Sequence, residues 1–167
     1  HTGLDIQITF NPAPENHGYK IKRVDLEGQP VIDALAENVA STQRGTVLSK
    51  NGIQISTVEH AMAALYAYEI DNCLIEVNAP EFPILDGSSR FFSEEIRKAG
   101  IVEQNAPKDF YIVKHKIEVK DEETGSSLII LPDEKFSVNV LISFDSPVLS
   151  NQFATMNDLS EFPEEIA

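Results

Sequence analysis

Apolar and polar residues alternate at the start of the chain, where Asp5, Gln7 and Thr9 separate Leu4, Ile6, Ile8 and Phe10. A period of two predicts a half-buried strand. Asn11-Pro12-Ala13-Pro14 predicts its end, because proline cannot donate to a ladder. A second short strand is expected over about Tyr19 to Val24. Residues 45–49 and 53–56 read as a hairpin around Lys50-Asn51-Gly52, with Asn-Gly as the turn signal. The period then changes. From Ser56 to about Tyr68, the residues Val58, Ala61, Met62, Leu65 and Tyr66 form one helical stripe. The opposite side holds His60, Ala63, Ala64 and Ala67 and carries neither Lys nor Glu. A helix apolar on both sides is buried on both, so a second layer is expected against it.

Asn72 to Asn78 is a mostly apolar strand. Asp86-Gly87-Ser88-Ser89 predicts a turn capping a helix that runs to about Ala99, with Phe92, Ile96 and Ala99 inward and Gly100 as its stop. Glu103 to Pro107 reads as a linker. Alternation then resumes over Tyr111–Val119, Leu128–Leu131 and Phe136–Phe144, which predicts a three-stranded meander with one buried face. Ser160 is placed to cap a last helix beginning at Glu161-Phe162-Pro163. The fold class is therefore α/β (α+β). Residues 1–103 are expected to form a first α/β domain and residues 108–167 an incomplete second one.

Composition narrows the function. Thirteen basic residues against 27 acidic give a net charge of −14, and an evenly acidic chain repels a phosphate backbone. Nucleic acid is excluded as the expected partner. No apolar run reaches the roughly 18 residues of a membrane span. Cys73 is the single cysteine, which excludes an internal disulfide and fits a reducing compartment. A cytoplasmic location is expected.

Glu59 and His60 stand together in the first turn of the doubly apolar helix. Two readings of Glu59 compete. Ser56-x-x-Glu59 is a capping box, which occupies a glutamate without catalysis. Alternatively, a carboxylate beside a zinc-ligating histidine can take a proton from a bound water. Catalytic zinc usually has three protein ligands. His1, His17 and His115 show no ligand spacing to His60, and read as a terminal, a turn and a core histidine. Asp86-Gly87-Ser88 reads as a capping turn, and Arg44 and Arg90 as isolated, solvated cations. No Walker loop, G-x-G-x-x-G or G-x-S-x-G is present.

Several blocks together carry a resemblance: His1-Thr2-Gly3, Ile55-Ser56-Thr57-Val58-Glu59-His60-Ala61-Met62, Ile70-Asp71-Asn72, Pro83-Ile84-Leu85-Asp86-Gly87-Ser88 and Ala99-Gly100-Ile101. In this order the chain resembles the UDP-3-O-acyl-N-acetylglucosamine deacetylase family, zinc amidases of lipid A biosynthesis in Gram-negative bacteria. The match is weaker after residue 107. The resemblance implies two similar two-layer α/β domains whose helices are sandwiched between sheets. It implies Zn2+ as cofactor, with His60 as a ligand and Glu59 as the general base that removes an N-acetyl group from UDP-3-O-(3-hydroxyacyl)-N-acetylglucosamine. It places His1 near the site, and Thr42 and Arg44 on a rim that contacts substrate. The family's remaining ligands, acid histidine and oxyanion-binding threonine correspond to sequence beyond Ala167. The isolated chain is thus expected to hold zinc weakly or not at all, to be inactive, and, with the Ala63, Ala64 and Ala67 face short of cover, to self-associate or be only partly ordered after Asp145. The alternative is a non-catalytic α/β structural or interaction module.

Overall fold

The computed structural model describes residues 2–146 and 148–167. The chain divides into two compact units, residues 1–106 with 162–167, and residues 107–161. The first unit contains β1 (Ile8–Pro12), β2 (Tyr19–Arg23), β3 (Val31–Asp33), β4 (Val39–Ser41), β5 (Val47–Lys50), β6 (Ile53–Ser56), α1 (Glu59–Ala67), β7 (Cys73–Val77) and α2 (Arg90–Ala99). The expected α+β class holds. Strands β1, β7, β2 and β3 form a mixed sheet in that order, and β4, β5 and β6 a separate antiparallel one. Strand β7 lies antiparallel to β1, with Ile8 opposite Val77, and parallel to β2, with Ile21 opposite Ile75.

Side chains on a strand alternate between faces, and β7 shows this directly. Cys73, Ile75 and Val77 are buried, while Leu74 and Glu76 are only half-buried. The inward residues join Ile21 and Ile32, Leu48 and Ile55 of the second sheet, Ala61, Ala64 and Leu65 of α1, Phe82, and Phe92 and Ile96 of α2 in one apolar cluster. Burial pushes the Cys73 thiol up to about 11, so it packs as a small hydrophobe. Helices α1 and α2 pack against each other.

Two polar contacts join the sheets. Arg23 is 5% exposed. Its Nε and Nη2 donate to both oxygens of Asp25 at 2.8 and 2.7 Å, and Nη1 donates to the Gln54 carbonyl of β6 at 2.8 Å. A buried guanidinium is tolerable only when its donors are filled in this way. Asp33 accepts from Lys20 of its own sheet at 2.9 Å and from Lys50 of the other.

The Asn51-Gly52 hairpin forms as expected, with φ of +52° and +78° at its two turn residues, the signature of a type I′ turn. Other expectations shift. β1 begins at Ile8 rather than Leu4 and runs through Pro12. It is an edge strand, where a missing N–H is tolerated. Tyr66 is 47% exposed, so the α1 stripe is narrower than its spacing predicts, while Ala64, assigned to the opposite face, lies in the core. Ala99 is exposed, and Ser93 takes an inward place beside Phe92 and Ile96. Gly100 ends α2 at φ +83° with its N–H on the Ile96 carbonyl.

The second unit has two hairpins in place of a three-stranded meander. β8 (Ile117–Lys120) pairs with β9 (Ser127–Ile130), and β10 (Val138–Ser143) pairs with β11 (Asn151–Met156). β11 does not alternate, so its sequence hid it. The Asp121–Gly125 turn forms, but β8 and β9 are exposed throughout and no face is covered. Alternation identifies an apolar face and not what lies on it. Ser160 does not cap α3 (Phe162–Glu165). Its N–H and hydroxyl both donate to Asp158, in the 3-10 turn that precedes the helix. Among the described residues no helix is long and apolar enough to cross a membrane.

The two lysines hold the Asp33 carboxyl down to about 2. A depressed carboxylate stabilises the fold above its unfolded pKa and loses that contribution as pH falls through the folded value. Asp33→Asn should therefore be less stable than the parent above about pH 4. The two proteins should converge as pH falls through about 2 and Asp33 becomes protonated. Chemical denaturation at stepped pH checks this.

Candidate active site at the head of helix α1

The backbone that enters α1 is fixed on both sides. The Ser56 N–H donates to the Pro80 carbonyl and its own carbonyl accepts from the Phe82 N–H, each at 3.0 Å. These bonds set Ser56 parallel to Glu81. Thr57 then turns the chain at φ +60° while its N–H donates to the Thr46 carbonyl at 3.1 Å. A β-branched residue in the left-handed region is a genuine outlier and stores about 1–3 kcal/mol. Val58 returns to helical angles, and α1 starts at Glu59.

This elbow overturns the capping box. A capping box needs the Ser56 N–H for Glu59 and the Ser56 hydroxyl for the helix. The N–H is on Pro80, the hydroxyl lies 3.5 Å from the Pro80 carbonyl, and no side chain caps α1. The left-handed turn at Thr57 carries Ser56 out of the cap position. Glu59 instead points its Oε2 at the Thr46 N–H, 3.2 Å away. Its Oε1 lies so close to Gly45 that a Cβ there would sit 3.2 Å from it, and Gly45 has φ +145°. The backbone angle favours glycine here, and a side chain would press on the flexible end of Glu59.

His60 follows on the same turn and is half-buried. Its carbonyl accepts from the Ser89 hydroxyl at 2.9 Å, which fastens α1 to the start of α2. The Asp86-Gly87-Ser88 turn leads into α2 but does not supply the expected cap, since Ser89 is the N-cap residue and its side chain makes no capping bond there. Ser88 Oγ accepts from the Arg90 N–H at 3.1 Å while donating to Asp86. Arg90 is not isolated. Its guanidinium is 3.3 Å from Asp86 and lies over the Phe91 ring.

Thr42 and Arg44 are exposed in the turn between β4 and β5, the same connection whose Gly45-Thr46 end meets Glu59. Arg44 adopts φ +60°. His1 lies outside the described residues, but its neighbour Thr2 donates through both N–H and hydroxyl to Glu81 Oε1, each at 2.6 Å. His17 is a turn histidine whose Nδ1 lies 3.0 Å from the Gly18 carbonyl. His115 is exposed and precedes β8, so it is not the core histidine that alternation suggested. Among the described residues no three His, Cys, Asp or Glu side chains gather as a metal site.

Glu59 and His60 were visible in the sequence as a pair. The contact of Gly45 and Thr46 with Glu59 and the Glu81–Thr2 contact were not, because each joins residues far apart in the chain. Only the glycine in a polar stretch after Arg44 hinted at a close approach.

The candidate site brings a carboxylate and an imidazole together on the first turn of a helix packed in an α+β unit. Comparison with known proteins identifies the family of the chain. The family model for UDP-3-O-acyl N-acetylglycosamine deacetylase (LpxC) matches residues 1–167, and the chain belongs to that family. It is 66% identical over 167 residues to the bifunctional enzyme LpxC/FabZ of Bacteroides thetaiotaomicron, covering all of this chain and 36% of that protein. The bifunctional LpxC/FabZ of Porphyromonas gingivalis is 65% identical over the same length. The UDP-3-O-acyl-N-acetylglucosamine deacetylase of Methylococcus capsulatus is 40% identical over 170 residues, all of this chain and 55% of that protein. The chain thus spans between about a third and just over half of these relatives.

Gly45→Ala should cost about 1–3 kcal/mol for its backbone angle and shift the Glu59 carboxylate against the Thr46 N–H by a few tenths of an ångström. Urea denaturation measures the first effect. A chemical-shift change at the Thr46 amide reports the second.

Proposed function

We propose that the protein from which this chain comes is a zinc-dependent deacetylase. It hydrolyses the N-acetyl group of UDP-3-O-acyl-N-acetylglucosamine in the cytoplasm, the committed step of lipid A biosynthesis. Family membership supports the reaction class. The observation that carries the assignment of roles is the orientation of Glu59. Its carboxylate is not engaged in a capping box, is half-buried rather than sealed, and is braced by the Gly45-Thr46 loop beside His60.

The residues present fit part of a zinc site. His60 would contribute one imidazole, and the remaining ligands would come from elsewhere in the full-length protein; among the described residues no three His, Cys, Asp or Glu side chains gather as a metal site. Zinc, when bound, supplies an acidified water and a Lewis acid for the amide carbonyl. Glu59 acts as general base and takes the proton of the attacking water. The Thr46 N–H holds one carboxylate oxygen in place, and the Gly45 backbone limits its swing. The Ser89 hydrogen bond to the His60 carbonyl fixes the turn that presents both side chains. Thr42 and Arg44, on the adjoining exposed turn, contact the UDP-sugar. The isolated chain, holding one ligand of a set, is inactive.

In the full-length protein, Glu59→Gln keeps the side chain's shape and its contact with Thr46 but cannot accept a proton. It should lower kcat by about 10²–10⁴ with bound zinc unchanged. His60→Ala should lose the metal. Full activity in Glu59→Gln would overturn the role given to Glu59, and stoichiometric zinc in His60→Ala would overturn that of His60.

A further inference from the structure

Positive φ falls in two kinds of place in this chain. Each of its eight glycines takes such an angle, at no steric cost. Apart from Thr57, the described non-glycine residues that take one are all exposed, and none is β-branched. Thr57 is 9% exposed and holds φ +60°. The two heavy atoms on its Cβ crowd the backbone there. What the branched side chain adds is stiffness. An L-residue has only a small left-handed basin, whereas glycine moves through that basin and the mirror-β region beside it. A threonine kept in the small basin by the bonds around Ser56 can barely turn. Thr46 holds both ends of the span that follows. Its carbonyl accepts from the Thr57 N–H at 3.1 Å, and its own N–H donates to Glu59 Oε2 at 3.2 Å. The second bond is at the long end for its kind, so a small rotation at Thr57 would break it. No side chain caps α1 to steady the turn in another way.

We propose that Thr57 is a positioning residue for catalysis: its β-branched side chain, buried at a left-handed angle, stiffens the β6–α1 elbow and keeps the Glu59 carboxylate aligned to take its proton. This rests on the deacetylase reading above. The branch does the positioning and the hydroxyl does not, so an isosteric valine can replace the threonine. A glycine cannot, although it suits the angle better.

The test uses the full-length protein at saturating zinc, with Thr57→Gly, Thr57→Val and Thr57→Asn. Steady-state deacetylation kinetics and amide hydrogen exchange are measured on each. Thr57→Gly should speed exchange of the Thr46 amide about tenfold while β7 stays protected, the mark of a local opening. It should lower kcat about tenfold with KM unchanged, because a misaligned base slows the chemical step and leaves binding alone. Thr57→Val keeps the branch, so its kcat and its Thr46 exchange should stay within about twofold of the parent. Thr57→Asn tolerates the angle without a branch and should fall between the two. An unchanged kcat in Thr57→Gly would overturn the proposal, whatever the exchange shows. So would a Thr57→Val as impaired as Thr57→Gly, since the hydroxyl would then be the working group. If Thr57→Gly also deprotects β7, Thr57→Asn decides. A lowered kcat there with β7 protected supports the proposal, and a parent-like kcat overturns it. A parent protein that does not deacetylate overturns the deacetylase reading and the positioning role together. An active parent with an equally active Thr57→Gly overturns the positioning role alone.

Discussion

The site depends on one backbone residue. Ser56 is bonded through both its N–H and its carbonyl to the Pro80–Phe82 segment, so β6 cannot slide or twist as it hands over to α1. With that end fixed, Thr57 is held at a left-handed angle it would not choose alone. One residue in that conformation redirects the chain sharply enough that a helix begins two residues later. The direction of α1, and with it the presentation of Glu59 and His60, follows from this turn. Strain kept at such a point by surrounding bonds is characteristic of functional sites.

The same bridge explains what was legible in the sequence. Local signals read correctly. Asn51-Gly52 specified its hairpin, the Val58–Leu65 spacing specified α1, the apolar run before Asn78 specified β7, and Gly100 specified the end of α2. Readings that needed a distant partner failed. Ser56 and Glu59 have the spacing of a capping box, but Pro80 competes for the Ser56 N–H from 24 residues away in the chain, and nothing in a local pattern encodes that. Phe136–Phe144 alternates cleanly, yet its partner is the irregular Asn151–Met156. Leu4 and Ile6 alternate like a strand but lie beyond the reach of β7, whose ladder with β1 ends at Ile8. Of the site, the Glu59–His60 pair was readable as a motif, whereas the loop that braces it was not.

An acidic chain has few cations to place, and the first unit uses several of them for architecture. Arg23 fills the space between β2 and β6, while Lys20 and Lys50 meet on Asp33 from opposite sheets. Lys22 pairs with Glu76 across the parallel β2–β7 ladder at 3.0 Å. A partly exposed pair of this last kind contributes little by itself. Arg23 differs because its guanidinium is buried, and removing one of its acceptors would leave an unpaired charge in the core.

The order of strands in the larger sheet also sets a schedule for biosynthesis. Strand β7 is the last of its four strands to be made, yet it lies between β1 and β2. β1 has no other neighbour, so Ile8 and Phe10 wait for Val77 and Ile75 to emerge from the ribosome. At ordinary rates of synthesis that interval is on the order of seconds, long compared with the microseconds in which the β5–β6 hairpin can close. The nascent chain thus carries a β-prone apolar segment unpaired until β7 is made. Pro12, at the end of that segment, lacks the N–H that a wrong partner strand would need, and so guards it during the wait.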